Sequence, residues 1–145
     1  MWQLNIVIWV VNSSSLFHLL NKNDSLGVLP TNFGKSIIYQ IAPFVARDLA
    51  DKGYSILPSN PVIIVVTPIN ALIDDQIRRC ADMNIKAFKL CAESKSLFEN
   101  GDVDLIYSSP ECLLDNSYRE ILLSDVYRSH VIGVVVDEAH LVVKW

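Results

Sequence analysis

Two uninterrupted apolar runs, Val62–Val66 and Val131–Val136, constrain the fold of this chain more than any other feature. A strand that is apolar at every position buries both of its faces, which is typical of a parallel sheet covered by helices on both sides. Shorter runs at residues 26–29, 86–90 and 103–107 predict further strands. Helical patterns lie between the runs, so the chain predicts an open α/β sheet in three layers with right-handed connections.

Proline and glycine mark the predicted ends of the helices. One helix begins at Ser36 and ends or bends at Pro43, because proline lacks the backbone donor that a helix interior requires. A second continues to residue 51 and stops at Gly53, a natural left-handed cap. One further helix follows Thr67, and another spans residues 113–123. Helical spacing places apolar residues on one face of each of two helices: Ile37, Ile38 and Ile41 on the first, and Ile69, Leu72, Ile73, Ile77 and Cys80 on the second.

Composition limits the partners of the chain. The 145 residues carry 12 Lys+Arg against 16 Asp+Glu, and this net charge of −4 argues against a general polyanion binder, so any nucleic-acid contact is local. Three cysteines without a Cys-x-x-Cys pair predict reduced thiols in an intracellular protein. The apolar run 1–11 is too short to cross a membrane and lacks the basic start of a secretory signal. It predicts a core strand, a core helix or a poorly ordered end.

Each conspicuous polar cluster follows a predicted strand. The clusters occupy residues 31–36, 67–68, 108–111 and 137–140. In open α/β sheets, ligands bind at the carboxyl ends of the strands, which meet at one edge. The sequence therefore predicts one site that is assembled from four separate segments.

The segment Leu-Pro-Thr-Asn-Phe-Gly-Lys-Ser at residues 29–36 resembles a Walker A loop, whose backbone N–H groups and following helix hold phosphate oxygens. Lys35 is expected to reach the β- and γ-phosphates, and the Ser36 hydroxyl to ligate Mg²⁺. The usual pattern has glycine where this chain has Leu29 and Asn32, and asparagine tolerates positive φ, which allows the loop to keep its shape. The predicted nucleotide-binding residues are Pro30, Thr31, Asn32, Phe33, Gly34, Lys35 and Ser36.

The acidic end of the last apolar run is the strongest motif of the chain. The sequence Val-Val-Val-Asp-Glu-Ala-His at residues 134–140 delivers Asp137 and Glu138 to the edge of a buried strand. Asp137 is expected to hold Mg²⁺ through water, and Glu138 to orient and deprotonate an attacking water. His140 is expected to couple this site to a second domain. Together with Lys35, these are the predicted catalytic residues.

Four segments together resemble RecQ-family DNA helicases, which belong to the superfamily-two helicases of the DEAD/DEAH type. Residues 30–40 and 137–145 carry the phosphate loop and the acidic motif, and Tyr39-Gln40 and Trp145 are the family-specific features. Residues 67–76 resemble motif Ia of the family, and residues 104–111 resemble motif Ib. The order and spacing of these motifs agree over residues 26–145.

The resemblance implies a RecA-like P-loop domain over residues 23–145, after a divergent N-terminal segment at residues 1–22. It implies an enzyme that uses ATP and Mg²⁺ to unwind DNA in the 3′-to-5′ direction, with single-stranded or partly duplex DNA as its partner, no membrane, and a nuclear location in a eukaryote. Motifs Ia and Ib track the sugar-phosphate backbone, through amides and hydroxyls that read no bases. The residues that this places near nucleic acid are Thr67, Pro68, Ser109, Pro110 and Glu111.

Parts of the family pattern are not recognisable in the 145 residues, so we expect a RecA-like fold that is incomplete at its C-terminal end. They are the Phe/Arg/Gln segment that recognises adenine, the second lobe with its arginine finger, and the strand after the acidic motif. In the family that strand usually lies between the strand of the phosphate loop and the acidic strand, so we expect another element there or a distorted sheet, because unpaired backbone groups are costly. Three hypotheses stay open: a fragment of a RecQ-like helicase, a non-catalytic nucleotide-binding lobe that acts as an interaction module, and a lobe of a DExH-type RNA helicase.

Overall fold

The computed structural model describes residues 6–8, 13–21, 23, 34–54, 57–91 and 102–137. The strands in these ranges are β1 (Ile6–Ile8), β2 (Val62–Val66), β3 (Ala87–Lys89), β4 (Leu105–Ser108) and β5 (Val131–Val136). The helices are α1 (Ser13–Leu20), α2 (Lys35–Asp51), α3 (Asn70–Asp82), α4 (Pro110–Leu114), α5 (Asn116–Leu123) and α6 (Asp125–His130). The strand predicted at residues 26–29 lies outside the described residues. None of the described helices has the length and hydrophobicity needed to cross a membrane.

The strands of the described ranges form one sheet in the order β1-β5-β2-β4-β3, and all neighbouring strands are parallel. β2 lies at the centre and is buried along its whole length, which explains why its sequence is apolar at every position. Ile63 and Val65 pack with side chains of α1, α2 and α3 on one face. Val62, Ile64 and Val66 pack with side chains of α4 and α5 on the other. The predicted three-layer α/β fold is confirmed.

The N-terminal apolar run supplies the strand that lies beside the acidic strand. β1 pairs in parallel with β5, with Ile6 opposite Val134 and Ile8 opposite Val136. The position next to β5 is therefore filled by a segment from the start of the chain, and the backbone groups on that side of β5 have partners. The predicted strand before the phosphate loop lies outside the described residues, so the expectation for the place between that strand and β5 stays a prediction.

α2 is one continuous helix with Pro43 inside it, so the predicted end of the helix at Pro43 is wrong. Two isoleucines of the predicted apolar face, Ile37 and Ile41, are 44% and 38% exposed. The face that packs on the sheet consists of Tyr39, Gln40, Ala42, Pro43 and Ala46. Small side chains on this face allow the helix to lie close to the strands, and the resulting burial outweighs the one backbone hydrogen bond that proline cannot make.

The end of α2 agrees with the prediction. Gly53 has a left-handed φ of +92°, and its N–H donates to the carbonyl of Ala50 at 3.0 Å. The N–H of Tyr54 donates to the carbonyl of Leu49 at 3.1 Å. These two bonds form a Schellman cap, which satisfies carbonyls that the last turn leaves without partners.

The helix predicted over residues 113–123 is divided into α4 and α5. The break lies at Asp115, whose ψ of 130° is extended rather than helical. Its carboxylate accepts the N–H of Ser117 at 2.9 Å and so caps the start of α5. A local side-chain bond of this kind competes with helix continuation. α6 was not predicted.

Candidate nucleotide and nucleic-acid site

Three of the four polar clusters meet at one edge of the sheet. β2 lies between β4 and β5, and Val66 is paired with Ser108 on one side and Val136 on the other. The N–H of Asp137 donates to the carbonyl of Val66 at 2.8 Å, and the N–H of Thr67 donates to the carbonyl of Ser108 at 3.0 Å. The residues that follow these strands therefore stand side by side, as the parallel topology predicts.

The fourth cluster ends at the first turn of α2. Gly34 precedes the helix with a left-handed φ of +72°, a conformation that favours glycine, and its carbonyl accepts the N–H of Ile37 at 3.2 Å. Lys35 and Ser36 begin the helix, so they stand at its positive end, where N–H groups lack helical partners and attract anions. Pro30, Thr31, Asn32 and Phe33 lie outside the described residues, as do Glu138 and His140.

The buried hydroxyl of Tyr39 connects the start of α2 to the acidic strand end. Burial is the main cause that raises the pKa of Tyr39 above its ordinary value, and the negative charge of Asp137 raises it further. The neighbouring side chains of Ser36 and Tyr107 act on the pKa in the opposite direction. The rings of Tyr39 and Tyr107 also meet edge to face, with centroids 6.3 Å apart. Ser36 and Asp137, which are far apart in the chain, therefore both act on one tyrosine.

The oxygen donors of this site suit Mg²⁺. Magnesium bound with a nucleotide takes one or two protein carboxylates or hydroxyls, and phosphates and water complete its ligands. The Ser36 hydroxyl and the Asp137 carboxylate match this donor set. Within the described ranges there is no cluster of three or more histidine, cysteine or acidic side chains that holds a metal by itself. The chemistry of the site thus fits a metal that arrives with phosphates.

The predicted nucleic-acid residues lie at the same edge but differ in exposure. Thr67 is 2% exposed, and its hydroxyl has no hydrogen-bond partner among the described residues. Ser109 caps α4: its oxygen accepts the N–H of Cys112 at 3.3 Å, and its hydrogen bond to Glu111 is the main cause that lowers the pKa of that carboxyl. Pro110 is buried, Pro68 is half-buried and Glu111 is exposed.

A series of hydrogen-bonded polar side chains, to which the sequence motifs assign no role, lies next to the site. Gln76 on α3 donates from Nε2 to the Ser36 Oγ at 3.3 Å, and its Oε1 accepts from Gln40 Nε2 at 3.1 Å. Gln40 Nε2 also reaches Cys80 Sγ at 3.6 Å, and that sulfur lies 3.8 Å from the Tyr107 hydroxyl. The sequence carried one signal for it, because Gln76 interrupts the apolar stripe between Ile73 and Cys80.

A parallel sheet with an acidic strand end at its carboxyl edge, together with a glycine-preceded helix start, is consistent with the RecA-like class of P-loop domains. The comparison of sequences identifies the family within that class. The chain belongs to the DEAD/DEAH box helicases, since that family matches residues 11–145.

Individual relatives are RecQ-type helicases. The ATP-dependent helicase SGS1 of Saccharomyces cerevisiae is 31% identical over 135 residues, which are 87% of this chain and 9% of that protein. The ATP-dependent DNA helicase RecQ of Synechocystis is 30% identical over 135 residues, 88% of this chain and 25% of that protein. The ATP-dependent DNA helicase Q5 of Mus musculus is 29% identical over 143 residues, which are 92% of this chain and 13% of that protein. The chain thus spans a quarter or less of these relatives.

Proposed function

We propose that this chain is the nucleotide-binding part of a RecQ-type helicase, which binds ATP with Mg²⁺ and single-stranded DNA and contributes to ATP-driven 3′-to-5′ unwinding of DNA. Membership of the helicase family and the RecQ-type relatives support this proposal. The single observation that carries it is that Ser36, in the first turn of α2, and Asp137, at the carboxyl end of β5, both lie near enough to the buried Tyr39 to influence the pKa of its hydroxyl. These two side chains come from the segments that hold the nucleotide and the metal in this proposal.

Each residue of the site has a defined task in the proposed function. Lys35 supplies a positive charge to the outer phosphates, and the N–H groups at the start of α2 hold their oxygens. Ser36 and Asp137 are the residues that would hold Mg²⁺, which neutralises charge on the phosphates when bound. Glu138 orients the attacking water and accepts its proton, and His140 transmits the state of the site to a second lobe.

The nucleic-acid side of the proposal rests on motifs Ia and Ib. Thr67, Pro68, Ser109, Pro110 and Glu111 follow β2 and β4 and so lie beside the acidic strand end. Contacts from backbone amides and hydroxyls to phosphates hold a single strand without reading its bases. The acidic balance of the chain agrees with a short local track rather than a broad basic surface.

Nucleotide binding by the purified chain tests the first half of the proposal. We expect a fluorescent ATP analogue to bind in the presence of Mg²⁺, and Lys35→Ala to weaken binding at least tenfold, since it removes the charge that faces the phosphates. Lys52→Ala is the matched control, because Lys52 lies just after the same helix, is 65% exposed and pairs with Asp48. Equal affinities of the Lys35→Ala variant and the unchanged chain, or no binding by either, would contradict the proposal.

Turnover and competition experiments test the second half. ATP hydrolysis that rises with single-stranded DNA and is abolished by Glu138→Gln would support a catalytic role. Nucleotide binding without hydrolysis, with or without DNA, would instead support a non-catalytic lobe. Stronger competition by single-stranded RNA than by DNA of the same length would indicate an RNA helicase lobe.

A further inference from the structure

The Ser36 hydroxyl is held from behind by a glutamine of another helix. Gln76 Nε2 donates to Ser36 Oγ at 3.3 Å, and the two residues belong to α3 and α2. A hydroxyl oxygen has two lone pairs and one hydrogen. Gln76 occupies one lone pair and the hydroxyl hydrogen can turn toward Tyr39, so one lone pair remains for a metal ion. The bond from Gln76 limits the directions in which that remaining pair can point.

Gln76 is itself fixed by a second glutamine. Its Oε1 accepts from Gln40 Nε2 at 3.1 Å, and Gln40 is only 3% exposed. Gln40 also contacts Cys80 Sγ, which lies near the Tyr107 hydroxyl, and both of these residues are fully buried. A buried amide without partners is costly, so this network restricts the amide of Gln76 to one orientation.

Magnesium makes such restriction useful. The ion requires near-ideal octahedral geometry with ligand distances of about 2.0–2.1 Å, so a hydroxyl that rotates freely is a poor ligand. Residues that orient metal ligands through hydrogen bonds commonly change metal affinity when they are replaced.

We propose that Gln76 is a positioning residue that orients the Ser36 hydroxyl for the Mg²⁺ of the bound nucleotide, with Gln40 holding Gln76 in place. The inference rests on the proposed function, because it assigns Ser36 to that metal. It also links α3, the helix that follows Thr67, to the nucleotide site. Gln76 acts through Ser36 and contacts neither nucleotide nor metal.

The experiment compares binding of a fluorescent ATP analogue to the full chain in saturating Mg²⁺ and in EDTA. The ratio of the two affinities measures the Mg²⁺ enhancement. For Gln76→Met, which keeps the length of the side chain but removes its amide, we expect this enhancement to fall roughly fivefold, the net effect of about one hydrogen bond. Affinity in EDTA should not change. Arg79→Met, on an exposed position of the same helix, is the matched control and should retain the full enhancement.

A double-mutant cycle separates positioning from a general structural effect. Because Gln76 acts through Ser36, Gln76→Met should have no further effect on the enhancement in a Ser36→Ala background. Gln76→Asn retains an amide that is one methylene too short to reach Ser36, and it replaces Gln76→Met if circular dichroism shows that the latter is unfolded.

The outcomes distinguish this inference from the proposed function. If the unchanged chain binds the analogue equally well with and without Mg²⁺, or not at all, the assignment of Ser36 to the metal is wrong and both proposals fall. If Mg²⁺ enhances binding by the unchanged chain and by the Gln76 variants equally, only the role of Gln76 is wrong. Two further results overturn the role of Gln76. One is a loss of affinity in the Gln76 variants that is equal in Mg²⁺ and in EDTA, and the other is an effect of Gln76→Met on the enhancement that adds to the effect of Ser36→Ala.

Discussion

Replacement of Gly133 by alanine tests how closely α1 packs on the acidic strand. A Cβ at this position of β5 would lie 2.4 Å from Leu19 Cδ1 and 3.6 Å from Leu19 Cγ. Ordinary contacts between carbon atoms are about 3.5–4.0 Å, so the end of the Leu19 side chain must move by more than about 1 Å. Leu19 is 2% exposed and belongs to the core cluster on that face, so it has little free space.

The expected free-energy change is the balance of two terms. Extra atoms in a well-packed core typically cost about 1–3 kcal/mol. Replacement of a glycine by alanine in a strand interior raises the free energy of unfolding by about 0.5–1 kcal/mol, because glycine loses more backbone freedom on folding than alanine does. We therefore expect Gly133→Ala to lower the free energy of unfolding by about 1 kcal/mol.

Repetition of the substitution in a Leu19→Val background makes the test sharp. Valine has no δ carbons, so the contact at 2.4 Å no longer exists. In that background Gly133→Ala should raise the free energy of unfolding by about 0.5–1 kcal/mol, which reverses its sign. Urea unfolding followed by circular dichroism, with equal m-values for the variants, measures the change. The same sign in both backgrounds would refute the close packing of α1 on β5.

Two further predictions concern buried polar groups. The carboxylate of Asp104 accepts from Arg47 Nη2 at 2.7 Å and from the backbone N–H of Lys86 at 2.9 Å. In urea unfolding, Asp104→Ala should lower the free energy of unfolding by about 2–3 kcal/mol, whereas Asp104→Asn, which keeps an acceptor for the N–H of Lys86, should lower it by about 1 kcal/mol. Equal losses for the two variants would contradict this. Burial raises the pKa of Tyr39 and Tyr107, whereas unfolded tyrosines ionise near pH 10. The unfolded state therefore binds fewer protons above about pH 10, and stability should fall as the pH rises through that range. Urea unfolding at about pH 8 and pH 11 measures how much stability is lost on going to alkaline pH, and Tyr39→Phe should make this loss smaller. An unchanged loss would refute the assignment of the effect to Tyr39.

Strands and the polar residues that follow them were predictable from local sequence. β2 and β5 have the predicted bounds, and β3 lies within its predicted range. A strand buried on both faces needs apolar residues throughout, and this requirement is visible without knowledge of its neighbours. The placement of Thr67, Ser109 and Asp137 at one edge follows from parallel pairing alone.

Helix faces and helix ends were less predictable. Ile37 and Ile41 are exposed, whereas Gln40 and Pro43 are buried, and Gln40 bonds to side chains of α3 that its own helix does not reveal. The division at Asp115 depends on one side-chain bond that competes with the helical backbone. Average preferences do not decide between alternatives that are so similar in energy.

The sequence by itself determined that this chain forms a parallel α/β sheet, and it predicts that Lys35, Ser36 and Asp137 belong to segments of one nucleotide-type site. Its periodicity and its motifs are local, and local patterns are sufficient for both conclusions. Only the tertiary structure decided that β1 fills the place beside β5 and that Gln76 holds the Ser36 hydroxyl. Both depend on contacts between segments distant in the chain, and such contacts form only when the whole core packs together.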